Sequence, residues 1–106
     1  MKLEVTPLSV DENPIVNLPE SFAIDSAYPN PFNSSVKLSY RISNSSHASI
    51  SVYDLADVHV AELINDVTPS GYHKVTWDGS GVPSGIYIAR MEVGGLSESI
   101  KLILMR

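Results

Sequence analysis

From residue 35 to residue 42 the chain alternates without a fault. Val36, Leu38, Tyr40 and Ile42 fall on one side, and Ser35, Lys37, Ser39 and Arg41 on the other. A period of two puts the apolar set on one face of an extended strand and the polar set on the opposite face. Such a strand cannot stand alone, because its apolar face needs a second layer to cover it. The pattern recurs. Ala48, Ile50 and Val52 alternate with Ser49, Ser51 and Tyr53, and Val75 and Trp77 share a face within residues 72–77. Residues 86–93 form another strand, β-branched and aromatic at its start. Residues 96–105 close the chain with Ile100, Leu102 and Leu104 opposite Lys101, Ile103 and Met105, so both faces of this long strand are expected to be partly covered.

Two segments read less cleanly. Phe22-Ala23-Ile24 predicts a short opening strand. Residues 58–64 fit a strand, although Val60, Leu63 and Ile64 would also lie on one helical turn. The strand is the better reading, because so short a helix is marginal in water. Turn chemistry separates the strands: Asn44-Ser45-Ser46, a loop over residues 65–71, and a glycine-rich loop over residues 78–85. Gly94-Gly95 supplies the two φ > 0 residues that a type I′ hairpin turn needs. About seven strands, with turns roughly every 8–12 residues, predict an all-β fold: an antiparallel sandwich of the immunoglobulin type.

One stretch breaks the alternation sharply. In Tyr28-Pro29-Asn30-Pro31-Phe32-Asn33, each proline lacks an N–H, fixes its own φ and biases the preceding residue toward extended backbone. The asparagines favour turns. The stretch is therefore a stiff, extended corner that leads one strand into the next and closes an end of the sandwich. Its aromatic ends, Tyr28 and Phe32, are expected to lie on apolar surface.

At 106 residues the chain is one domain, able to bury roughly two-thirds of its unfolded surface. Residues 1–21, with Pro7, Pro14, Pro19 and no sustained period, read as a semi-extended linker, or as an edge strand over Leu3-Glu4-Val5-Thr6. Residues 22–106 form the sandwich. A net charge of −5 and singly scattered basic residues argue against nucleic acid and against anionic membranes as partners. With no cysteine, thiol catalysis and cysteine-based zinc sites are excluded. No apolar run is long enough to span a bilayer, and the first twenty residues lack the apolar core of a secretion signal. A monomer without cofactors is expected.

Chemistry-bearing residues are sparse. His47, His59 and His73 fall on three different strands with no partner at ligand spacing, and solvent-facing positions account for them. Asp54, Asp57 and Asp66 could meet at one end of the sandwich, where loops cluster. That is the place for a loop calcium site, although no EF-hand-like run accompanies them. No Gly-x-Ser-x-Gly elbow occurs, and Gly79-Ser80-Gly81 lacks the lysine and following helix of a phosphate loop. Asn33-Ser34-Ser35 and Asn44-Ser45-Ser46 match the glycosylation pattern but read better as turns. Trp77 reads as a core plug, with a sugar-stacking platform as its alternative. Tyr87 reads as a packed strand residue whose hydroxyl bonds loop backbone. No residue is assigned a catalytic or metal-binding role.

The order of these segments carries more than any one of them. Tyr28-Pro29-Asn30-Pro31-Phe32-Asn33 is followed by Val52-Tyr53-Asp54-Leu55, Val60-Ala61-Glu62-Leu63 and residues 71–79 ending in Trp77-Asp78-Gly79. After these come Val82-Pro83-Ser84-Gly85-Ile86-Tyr87 and the closing Lys101-Leu102-Ile103-Leu104-Met105-Arg106. The series, over residues 18–106, resembles the type A C-terminal sorting domains of the type IX secretion system, which are related to the immunoglobulin-like part of flagellar hook-capping proteins. Two positions depart from that family's pattern. Ser34 stands where proline often follows the second asparagine, and Ala56-Asp57 stands where a glycine is usual. Asp tolerates a left-handed conformation better than Ala, so the turn is expected to shift by one residue.

The resemblance implies a non-enzymatic address label on a larger exported protein in a Gram-negative bacterium. The parent's own signal would take it to the periplasm, and an outer-membrane translocon would read the folded sandwich. The protein would then be secreted or displayed on the cell surface, in related systems after a surface peptidase cuts before the sandwich, here before Phe22. It also implies that residues 101–106 meet the sorting machinery, without membrane insertion. The residue-level alternatives are a carbohydrate- or cell-wall-binding accessory sandwich using Tyr53, Tyr72 or Trp77, and a passive structural or assembly module.

Overall fold

The computed structural model describes residues 22–106, so both readings of residues 1–21 lie outside the described residues. Seven strands run in chain order: β1 (Phe22–Tyr28), β2 (Ser35–Ile42), β3 (Ser46–Asp54), β4 (His59–Thr68), β5 (Gly71–Asp78), β6 (Gly85–Val93) and β7 (Leu96–Leu104). They form two sheets, ordered β1-β2-β5 and β4-β3-β6-β7, and every strand pair within them is antiparallel. The all-β class, the two layers and the strand number agree with the reading of the sequence.

The alternation decides what lies between the layers. Val36, Leu38, Tyr40 and Ile42 of β2 are buried, and so are Ala48, Ile50 and Val52 of β3. From β6 come Tyr87, Ala89, Met91 and Val93, and from β7 come Leu102 and Leu104. Burying such side chains contributes about 1.5–3 kcal/mol each relative to exposure, which makes the strand registers hard to slip. Gly94 and Gly95 have φ of 59° and 86°, and Val93 pairs with Leu96, so the hairpin turn forms as expected.

Four local expectations are corrected. The first strand does not stop at Ile24. It runs to Tyr28, with a bulge between Ile24 and Ser26 that leaves Asp25 free to accept a hydrogen bond from Arg41 Nε at 3.0 Å. Residues 65–68 are strand, not loop, pairing with residues 46–49 of β3. Their polar composition is that of an outer strand, since β4 lies at the end of its sheet and exposes Asn65 and Asp66. Asp66 also lies opposite Ala48, at the far end of β3 from Asp54, so the three aspartates do not gather. Asp54 instead accepts from the backbone N–H groups of Ala56 and Val58, at 2.8 and 3.0 Å. Finally, His47 and His59 are exposed, but His73 is half-buried. It stacks on Tyr40 with ring centroids 5.4 Å apart and hydrogen-bonds the Pro69 carbonyl at 2.7 Å.

In the turn after β3 the positive φ falls on Asp57 and not on Ala56. Asp57 takes φ of 65°, a left-handed conformation on a residue that tolerates it.

Candidate functional site

The proline corner and the closing strand meet. β7 is an outer strand of the four-stranded sheet, and an outer strand presents unpaired N–H and C=O groups. The corner covers them. Phe32 N–H donates to Ile103 O and Met105 N–H donates to Phe32 O, both at 2.8 Å, forming a short parallel bridge to Leu104. Asn30 continues the cover with its side chain, Nδ2 donating to Lys101 O at 2.9 Å and Oδ1 accepting from Ile103 N–H at 3.0 Å. The corner thus leaves one sheet and fastens along the edge of the other. Both X–Pro peptides, Tyr28-Pro29 and Asn30-Pro31, are cis.

Phe32 enters the core at 2% exposure and packs on Trp77, ring centroids 5.6 Å apart; Trp77 in turn meets Tyr87 edge-on at 5.3 Å. Trp77 is 4% exposed, so it is a core plug with no face to offer a sugar. The Tyr87 hydroxyl donates to Pro83 O at 2.5 Å, as expected from the sequence. Tyr28 departs from expectation: it is 78% exposed and lies on no apolar surface.

Gly79 lies where Leu104 and Phe32 converge. A Cβ there would stand 3.3 Å from Leu104 Cδ2 and from Phe32 Cε2, which is why a glycine follows Asp78. Its N–H donates to Ser34 O at 2.8 Å, and Ser80 N–H donates to the Asp78 carboxylate at 3.0 Å. That bond, with the Ser80 hydroxyl, holds the Asp78 carboxyl below its usual range. Arg106 completes the end of the sandwich. Its guanidinium donates to Gly79 O at 3.0 Å and to Val82 O, while its backbone N–H donates to Ser84 Oγ at 3.2 Å.

Residues 101–106 therefore divide by direction. Leu102 and Leu104 are fully buried and can act only by packing. Lys101, Met105 and Arg106 are exposed and Ile103 is half-buried. Cross-strand neighbours extend this outward face: Ile86 lies opposite Ile103, Ile88 opposite Lys101, and Tyr53 opposite Ile88. Beside them Arg90 sits 4.4 Å over the Tyr53 ring and pairs with Asp57 at 3.2 Å. Sequence reasoning missed the Asn30 clamp and the Arg106 tie. The signal for the first is an amide flanked by prolines in a chain whose last strand must have its edge covered.

Among the described residues no three His, Asp or Glu side chains group as a metal site, and no helix is long and apolar enough to cross a membrane. Compared with known proteins, the chain matches the family model of the secretion system C-terminal sorting domain over residues 26–105. No curated protein and no solved structure matches it.

Proposed function

The chain belongs to the secretion system C-terminal sorting domain family, and from that premise we propose that its sorting information lies on the outward face at the end of β7. Membership makes it a sorting signal of type IX secretion, attached to a larger secreted or cell-surface protein. In our reading Lys101, Ile103 and Met105, flanked by Ile86 and Ile88, meet an outer-membrane translocon, while Leu102 and Leu104 hold that face in place from behind. The domain is read as a folded object in the periplasm of a Gram-negative bacterium. A surface peptidase then cuts before Phe22, and the domain catalyses nothing itself.

The observation that carries this reading is that the closing strand is bonded on both sides, by β6 along its length and by the corner along residues 101–105. A rigid strand presents the same side chains to every receptor and loses little conformational entropy on docking. The test is export of a fluorescent cargo fused to the domain in a cell with type IX machinery. Lys101→Glu with Ile103→Ser should abolish export while leaving the melting temperature within a few degrees of the parent. Deleting residues 100–106 should abolish export and folding together. Undiminished export of the double variant would place recognition elsewhere.

A further inference from the structure

We propose that the outer face of the three-stranded sheet binds an acidic polysaccharide. Lys37 on β2 lies opposite Thr76 on β5, and Lys74 lies opposite Ser39. The two lysines are thus diagonal neighbours on adjacent strands, about 7–8 Å apart at the backbone. Neither has a carboxylate partner among the described residues. The two acids of this sheet are committed elsewhere, Asp25 to Arg41 and Asp78 to Ser80 N–H. An outward sheet face is ordinarily polar, but its charges are ordinarily balanced. Here Glu62, Asp66, Glu92 and Glu98 stand on the other sheet; the carboxylate beside the pair is Asp78, diagonal to Lys37 on the side away from Lys74, so the excess positive charge lies toward Lys74.

The surroundings narrow the ligand class. A shallow hollow of about 440 Å³ is lined by Tyr28, Ser35, Lys37, Ser39, Lys74 and Thr76. A second hollow continues past Ser39 and Lys74 to Tyr72. Tyr28 and Tyr72, 78% and 82% exposed, stand toward the two ends of this track. Rings displayed in water at both ends suit the C–H faces of sugar rings, which exposed tyrosines take as amphipathic platforms. The hydroxyls of Ser35, Ser39 and Thr76 donate and accept, as a row of sugar hydroxyls requires. The lysines supply point charges for carboxylate or sulfate groups. A lipid surface asks for a larger basic cluster than this pair. A chain of net charge −5 repels polyanions at long range, so attraction comes from this face alone.

This inference does not depend on the sorting reading, and it has its own test. The full chain is run in native gels containing polygalacturonate, dextran sulfate, a neutral glucan or polyglutamate, each against a polymer-free gel. Retardation by polygalacturonate or dextran sulfate, exceeding that by polyglutamate and by the neutral glucan, is expected. Lys37→Gln with Lys74→Gln should raise the polymer concentration needed for half-retardation about tenfold or more. Tyr28→Ala with Tyr72→Ala should weaken retardation without changing net charge. All four side chains face water, so unchanged melting temperatures verify folding. No retardation by either acidic polysaccharide overturns the proposal. So does equal retardation by polyglutamate, or full retention in the lysine double variant.

Discussion

The Asn30 carboxamide bridges the two backbone groups that flank Leu102, accepting from Ile103 N–H at 3.0 Å and donating to Lys101 O at 2.9 Å. One side chain thereby does for the outer edge of β7 what an additional strand would do. Asn30→Ala gives these backbone groups back to water and should cost about 1–2 kcal/mol, a fall in melting temperature of roughly 4–12 °C for a domain of this size. Asn30→Asp keeps the acceptor but sets a carboxylate oxygen against the Lys101 carbonyl. That contact raises the folded carboxyl above its unfolded value of about 4, so the deficit relative to the parent should shrink as pH falls toward about 4 and level off below it, where the protonated carboxyl donates again in the folded state. Thermal melts from neutral to acid pH check both outcomes.

Phe32, Leu104 and Gly79 form a three-way contact that limits what each can become. Phe32→Ala removes a ring that is 2% exposed and should cost about 3–5 kcal/mol. Gly79→Ala adds a methyl 3.3 Å from both neighbours, and should cost on the order of 1 kcal/mol. Replacing Phe32 with Leu gives that methyl room, so Phe32→Leu with Gly79→Ala should lose less than the two single losses added together. Denaturant unfolding of the four proteins closes the cycle.

The sandwich was legible because its strands alternate, and the apolar faces read for β2 and β3 are those that are buried. What was illegible had no period. Residues 65–68 are polar because β4 is an outer strand, and composition alone cannot tell such a strand from a loop. The corner was recognisable as rigid, yet nothing local says which of its aromatics turns inward. Phe32 is buried because Trp77 and Leu104, distant in sequence, leave a place for it, whereas Tyr28 faces water. Arg106 finds its carbonyl partners in a loop more than twenty residues earlier, which no local pattern in the sequence points to.

Asp57 was the exception: it stands beside the position where the resembled family has a glycine, tolerates left-handed backbone better than Ala56, and takes φ of 65°. Asp57→Val puts a β-branched residue in that conformation and should destabilise by about 1–2 kcal/mol. Asp57→Gly loses the exposed pairing with Arg90 but relieves the backbone, and should stay within about 0.5 kcal/mol of the parent. Equal losses in the two variants would assign the position's importance to the carboxylate.

Burial pushes the Tyr40 hydroxyl above the ordinary tyrosine range. The folded state holds this proton more tightly than the unfolded chain does. Its contribution to stability is therefore fully present below the unfolded value of about 10 and is lost as pH rises through the folded value. Tyr40→Phe removes that titration. The parent should lose stability more steeply than the variant above about pH 10, and the two should run parallel below it. Unfolding midpoints across the alkaline range decide the matter.

Arg106 poses the question of whether the last residues are read or merely hold what is read. Its guanidinium ties the carbonyls of Gly79 and Val82, and its own N–H reaches Ser84. Arg106→Ala should loosen this loop, seen as faster amide exchange at Val82, whose N–H bonds Gly79 O at 3.2 Å. Global stability should fall by no more than about 1–2 kcal/mol, because the core is untouched. Arg106→Lys keeps the charge but not the fork that spans two carbonyls, so it should loosen the loop nearly as much. If export of a fused cargo follows the exchange rate through both variants, the arginine serves by ordering the loop. If the lysine variant exports normally despite a loosened loop, the charge itself is read, and the recognised face extends past Met105 to the side chain at 106.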